Sequence, residues 1–372
     1  MSEINYKSTT FILMLLLASM ASTAQVHYPD ASLRLFPVWS RVADVYGELG
    51  SIESAEFSPD GRHIVSGSKF DNSIIMWRTS DGAEVWRKYA EQEVERVGWS
   101  SDSRYVASCS EDYLVQVWDS KSGNLVKDLK HDQGIDGLSW SNTGLLLVTG
   151  EEAREVDVSG AKSKKAKVRI FEFPEGEQID EIEVEGTVNE IMFSKDDKYF
   201  LAAGHNFVKV FSTNGFKLVQ ELVPDEFFKF TTADFTPDAK HIAASGFGGL
   251  IYVWDWQEGK LIKRFNYRGR KVESLCWHPN GDYLVTSGHG PYINIFRKSE
   301  ILQAPKEVQA AAQVFANDGA EYIDFNQDGG YLVSAHQDGI IRLWVWKGED
   351  HMLNEQRHRW VSEQQKEANK VR

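Results

Sequence analysis

Cysteine is nearly absent. Cys109 and Cys276 are the only two in 372 residues. A disulfide-stapled scaffold is therefore excluded, and there is neither a CxxC nor a metal-ligating cysteine spacing. The two cysteines fall in distant repeats, at different points of the unit described below, so both are expected as buried free thiols. Basic charge is also short. Lys+Arg 41 against Asp+Glu 55 leaves a net −14. That argues against nucleic acid as a partner, because neutralising phosphates needs a cationic surface. Basic peptides and other cationic ligands stay open. After residue 24 no apolar run is long enough to span a bilayer as a helix. Hydrolase and phosphate-binding signatures are missing too: there is no Gly-x-Ser-x-Gly, no His-Glu-x-x-His and no phosphate loop. The Pro-Asp-Gly turns offer one carboxylate each, too few for calcium. No cofactor and no metal are expected.

The first 24 residues are of a different kind. Lys7 precedes the apolar run Phe11–Met20, and Ser22-Thr23-Ala24 puts small residues where a signal peptidase reads. Residues 1–24 are expected to be a signal peptide cleaved after Ala24, and the mature protein to be secreted or periplasmic. Residues 25–39 form a lead-in. The stretch 348–372 is polar, mixed in charge and without a clear apolar face, and reads as a loose tail.

Between them one pattern recurs seven times: apolar, polar, any, apolar, any, aromatic. The aromatic is Phe57, Trp99, Trp140, Phe193, Phe235, Trp277 and Phe325, at intervals of 42, 41, 53, 42, 42 and 48. A tight turn follows, as in Ser58-Pro59-Asp60-Gly61, and then a short β-rich run such as His63–Ser68. A third strand ends in a second aromatic: Trp77, Trp118, Phe171, Phe211, Trp254, Phe296 and Trp344. A Gly-containing turn such as Ser122-Gly123-Asn124 leads to a fourth strand. Four strands every 42 residues or so is the signature of a propeller blade.

These repeats resemble the WD40 family. The dipeptide survives at Trp118-Asp119 and Trp254-Asp255, and turn aspartates stand at Asp71, Asp112 and Asp338. The family's Gly-His is absent; only His131 stands near such a position. Its Asp-His-Ser-Trp hydrogen-bond tetrad is therefore not expected in most blades. The resemblance covers residues 40–347 and implies an all-β, seven-bladed propeller acting as a binding platform. The last copy lacks a fourth strand, and Arg41–Tyr46 is expected to supply it and close the ring. With a signal peptide in front, the resemblance implies an exported, bacterial-type member.

The family's upper face gathers the loops that enter the first strand and those that join strands two and three. Four residues before the first aromatic stand Glu53, Glu95, Asp136, Asn189, Thr231, Glu273 and Glu321. Five of the seven are acidic, predicting an electrostatic rim that attracts a protein or basic peptide. Alignment at the end of the second strand gives Ser68, Ser110, Glu151, His205, Phe247, His289 and His336. Of these, Phe247 (with Tyr292) is expected as an aromatic anchor and His289, between two glycines, as a site residue. The third copy carries an insertion, about Glu151–Lys167, acidic at its start and lysine-rich at its end; it reads as a finger or lid. The stretch Lys298–Asp318 is long enough for a helical turn. The rival reading is a propeller hydrolase or lactonase, with a metal or small ligand at the central mouth.

Overall fold

The computed structural model describes residues 33–47, 50–158, 161–266, 270–303 and 308–348. The expected signal peptide and the polar tail from residue 349 lie outside the described residues.

Seven antiparallel sheets stand in a ring. Their inner strands are Ile52–Phe57, Val94–Trp99, Ile135–Trp140, Val188–Phe193, Phe230–Phe235, Val272–Trp277 and Ala320–Phe325. Each contains the repeated apolar–polar pattern, and each carries a register shift at its polar second residue. That irregularity turns the side chain of the shifted residue toward the central opening.

Apolar residues on both faces of a sheet need cover on both sides, and neighbouring blades supply it. Seven apolar clusters result among the described residues, one at each seam between blades. Trp99, Val94 and Val97 of blade two, for example, pack on Val65, Ile74 and Met76 of blade one. Side chains of the inner strands also stitch the seams. Glu56, Asp234 and Asp324 accept the backbone N–H groups of Trp99, Trp277 and Phe57 at 3.1, 2.9 and 2.9 Å.

The ring closes as expected, with the first strand of the chain completing the last blade. That strand runs Arg34–Val42, not from residue 41, and pairs antiparallel with Ile340–Lys347. Ala43–Gly47 instead turns up onto the loop face, where Asp44 is buried and accepts from Ser68 Oγ at 2.6 Å.

The insertion in blade three is a β-ribbon rather than a loop. Arg154–Val158 pairs with the start of the long strand Ala161–Glu172, whose remainder is the third strand of the blade. Two of its lysines are paired: Lys167 lies 2.9 Å from both Asp132 and Glu181, and Lys165 pairs with Glu183. The long connection in blade six holds a short helix, Lys298–Gln303, before the outer strand Ala312–Phe315. Cys109 and Cys276 are free thiols, as expected.

Half of the tetrad hydrogen bonding survives without Gly-His. Trp77, Trp118 and Trp344 donate from Nε1 to Ser66, Ser108 and Ser334 at 2.9, 3.0 and 2.8 Å. In blade three His131 meets Thr149 Oγ1 at 2.8 Å. In blade seven an imidazole arrives from another place: His336, at the end of the second strand, lies 2.6 Å from Ser334 Oγ. Its Nδ1 is 3.2 Å from the Asp318 carbonyl, so the chain of donors runs Trp344 to Ser334 to His336 to Asp318.

Candidate functional site at the mouth of the ring

Strand pairing fixes which residues share a position around the mouth. Ile52, Val94, Ile135, Val188, Phe230, Val272 and Ala320 face Ser68, Ser110, Glu151, Gly204, Gly246, Gly288 and His336. The sequence alignment at this point therefore slips by one residue in blades four, five and six. His205, Phe247 and His289 stand one step beyond the strand, and His336 does not: it is buried in the core. The slip arises because glycines end the second strand in those three blades, where the others carry a side chain.

With the register corrected, three tiers surround the opening. The inner tier is Glu53, Glu95, Asp136, Asn189, Thr231, Glu273 and Glu321. The next is Lys69, Glu111, Glu152, His205, Phe247, His289 and Gln337. Each donates its backbone N–H to the carbonyl of a third tier: Ser51, Glu93, Gly134, Thr187, Lys229, Lys271 and Gly319. One hydrogen bond repeated in all seven blades anchors the mouth. A cavity of about 440 Å³ there is lined by the five acids expected from sequence and by Phe247.

The charge is not evenly spread. Blades two and three contribute Glu93, Glu95, Glu111, Asp136 and Glu152 with no base in any tier. Blades five and six contribute Lys229, Lys271, His289 and the 47% exposed Phe247, against one acid, Glu273. Lys229 and Lys271 place their ammonium groups 5.6 and 4.6 Å from the Phe247 ring centre. The uniform rim read from sequence is thus a divided one, and the anchor Phe247 sits in its cationic half. Tyr292 lines the neighbouring cavity of blade six instead.

Burial dominates the electrostatics of the acidic half. It raises Glu95 to about 8, with Glu53 adding like-charge repulsion. It raises Asp136 to about 7, with Glu152 and Glu111 adding to it. Glu53, Glu273 and Glu321 are also raised, chiefly by burial. Lys69 is the one base reaching in, at 3.2 Å from Glu93, 3.8 Å from Glu95 and 4.0 Å from Glu53. Burial opposes its charge, but those three carboxylates outweigh the burial and raise its pKa.

Below the mouth the opening is crossed by Arg96. Its guanidinium lies 3.5 Å from Glu190 of blade four and 4.6 Å from the ring centre of Tyr322 in blade seven. Nothing in the repeat pattern marked this residue, because its neighbours lie in other blades. The exposed aromatics of the upper loops were also missed. Phe70 and Tyr113, 54% and 48% exposed, sit in the turns between strands two and three of blades one and two. In the chain Phe70 follows Lys69 directly and Tyr113 comes two residues after Glu111.

Among the described residues, three groups of side chains bring ligand atoms within 4.8 Å of one another: Glu273–His289–Glu321, Glu93–Glu95–Glu111 and Glu111–Asp136–Glu152. The first has a histidine, 2.8 Å from Glu273, but Lys271 already lies 2.6 Å from the same carboxylate oxygen. A cation there would have to displace the ammonium.

The profile of the WD domain, G-beta repeat, matches residues 39–78, 87–119, 259–297 and 317–345. The fold is thus a seven-bladed β-propeller in which four stretches match the WD40 repeat. It is similar to the ribosome biogenesis protein ERB1 of Coprinopsis cinerea, 20% identical over 367 residues that cover 84% of this chain and 47% of that protein. Eukaryotic translation initiation factor 3 subunit I of Aspergillus terreus is 22% identical over 297 residues, 68% of this chain and 81% of that subunit. Cell division cycle 20.1, cofactor of APC complex, of Arabidopsis thaliana is 22% identical over 318 residues, 81% and 65%. The chain spans about half the length of the first of these. Two of the three names are those of a complex's subunit or cofactor. All three proteins are eukaryotic, so the comparisons do not bear out an exported, bacterial-type member. The secreted or periplasmic location is overturned as well, since ribosome biogenesis, translation initiation and the APC complex are processes of the cell interior. No described helix is long and apolar enough to cross a membrane.

Proposed function

We propose that this propeller is a protein-binding scaffold, and that its mouth holds a basic segment of the partner. The observation that carries this reading is the block of five carboxylates on blades two and three, with no base of either blade in the three tiers of the rim and Arg96 of blade two set beneath them against Glu190. Packed this closely, they repel one another, and Glu95 and Asp136 are partly protonated near neutral pH. An incoming lysine or arginine side chain relieves both effects. Phe70 and Tyr113 supply the apolar contact that charge alone does not give. The complexes named for the translation initiation and APC relatives support a scaffold over a catalyst.

The test is fluorescence anisotropy with a labelled hexalysine peptide and the whole chain. The comparison is with a variant carrying Glu95→Gln, Glu111→Gln and Asp136→Asn. Binding that is at least tenfold weaker in the variant, and that weakens with salt in the parent, supports the reading. Equal binding to both overturns it. The second reading, a metal-assisted hydrolase, draws on Glu273–His289–Glu321 alone. It requires a melting temperature that falls on adding chelator and recovers with a divalent metal.

A further inference from the structure

Blade six contains a second cavity, of about 370 Å³, which shares Lys271 with the mouth. Its origin is legible in the repeat. Thr286 pairs with Leu275 as Thr149 pairs with Leu138, so the two threonines occupy the same position in blades six and three. In blade three His131 fills the space above Thr149. In blade six the cavity is lined by the equivalent threonine, Thr286. Its polar wall is Thr286, Ser287, Asn294 and Gln313, and its opening carries Arg270 and His289.

Two features of this hollow point to an anion. Ser287 is 2% exposed, and its Oγ is buried with no hydrogen-bond partner among the described residues. A buried hydroxyl left unpaired is costly, and a bound acceptor removes that cost. At the opening, Arg270 donates from Nη1 to the His289 carbonyl at 3.2 Å. Among the described residues no carboxylate lies within 4.0 Å of its guanidinium, nor of the Lys229 ammonium nearby. Lys271, by contrast, is held by Glu273. A cavity with one polar wall, an unpaired buried donor inside and, at the door, a guanidinium with no carboxylate partner among the described residues is suited to a planar oxyanion.

We propose that the blade-six cavity binds a carboxylate of the partner segment, with Arg270 at its opening and Ser287 within. This rests on the reading of the mouth as a peptide site and deepens it. The docked segment carries a cationic residue into blades two and three and an acidic group, a side chain or its own C-terminus, into blade six. Two charges of opposite sign at fixed places also set the direction in which the segment crosses the mouth.

The experiment is calorimetric titration of the whole chain with four probes: acetyl-Gly-Gly-Leu with a free carboxylate, its C-terminal amide, acetyl-glutamic acid diamide, which has only a side-chain acid, and inorganic phosphate. At least one acid is expected to bind at least tenfold more tightly than the amide. Arg270→Gln should weaken that acid at least fivefold and Ser287→Ala about threefold, with circular dichroism spectra and melting curves like the parent's. Whichever acid binds more tightly identifies a terminal or a side-chain carboxylate. Equal binding of acid and amide, indifference to Arg270→Gln, or phosphate binding tighter than either acid would overturn the proposal. Acid binding by the parent, with hexalysine bound equally by the parent and by the Glu95→Gln, Glu111→Gln, Asp136→Asn variant, would leave the cavity standing and remove only the basic-segment reading.

Discussion

Raising the pH from 6 to 8.5 is expected to destabilise the propeller through buried acids of its inner strands. Burial pushes Glu190, Asp234 and Asp324 up to about 7. In the unfolded chain these groups return to roughly 4. The folded form therefore holds a proton near pH 6 that the unfolded form does not. That stabilising contribution is complete below the unfolded value and is lost as pH climbs through 7. Between pH 6 and 8.5 the loss per group is about 1.4 kcal/mol. Three independent groups would give about 4 kcal/mol, and coupling among them reduces the sum. Asp234→Asn isolates one contribution, because the amide oxygen can still accept from the Trp277 N–H that Asp234 holds at 2.9 Å. Urea unfolding at the two pH values, for parent and variant, measures the difference. The variant's pH dependence should be shallower by about 1.4 kcal/mol. An unchanged slope, or a parent that gains stability as pH rises, would refute the reasoning.

Hexalysine binding should tighten from pH 6 to 8.5, because Glu95 and Asp136 must release protons to meet the cation; anisotropy at each pH reads this, and a flat profile would place the peptide elsewhere. Ser334→Ala leaves the Trp344 indole and the buried His336 without their shared partner, and should cost about 1–3 kcal/mol in thermal or urea unfolding. Gly246→Ala would set a Cβ 2.1 Å from the Lys229 carbonyl oxygen, so the backbone at this corner of the mouth must shift; a stability loss of about 1–3 kcal/mol is expected. Arg96→Met should be worse than Arg96→Met/Glu190→Gln, because the single change strands a buried carboxylate beneath the mouth; equal melting of the two would deny the pair a structural role.

The ring itself was legible in the sequence because seven copies in phase over-determine the strand pattern. Aromatic positions such as Trp99 and Trp277 mark the inner strands to the residue. The inner acids were also legible, since Glu53 and its counterparts sit at a fixed distance from those aromatics. The next tier was misread by one residue in three blades. There the second strand ends in Gly204, Gly246 or Gly288, and nothing in the composition of the strand says where it stops. The division of charge followed from that tier and was lost with it. Arg96 with Glu190, and the cavity of blade six, depend on which blades face each other across the opening and on how side chains pack at a seam. No local pattern records either. The N-terminal run showed the opposite failure: its composition fits an export signal, and the relatives do not.

The closing strand has a consequence for how the protein is made. Arg34–Val42 is synthesised before any blade, and its partner Ile340–Lys347 follows roughly 300 residues later. At about 5–20 residues per second, the first strand waits roughly 15–60 s for its place. Throughout that time six blades can form while the seventh lacks its outer strand and the circle stays open. A chain stalled or cut short before residue 340 therefore leaves Arg34–Val42 without its partner and an uncovered apolar sheet face at each end of the arc, in the same molecule. Such arcs can join one another end to end where the finished ring cannot.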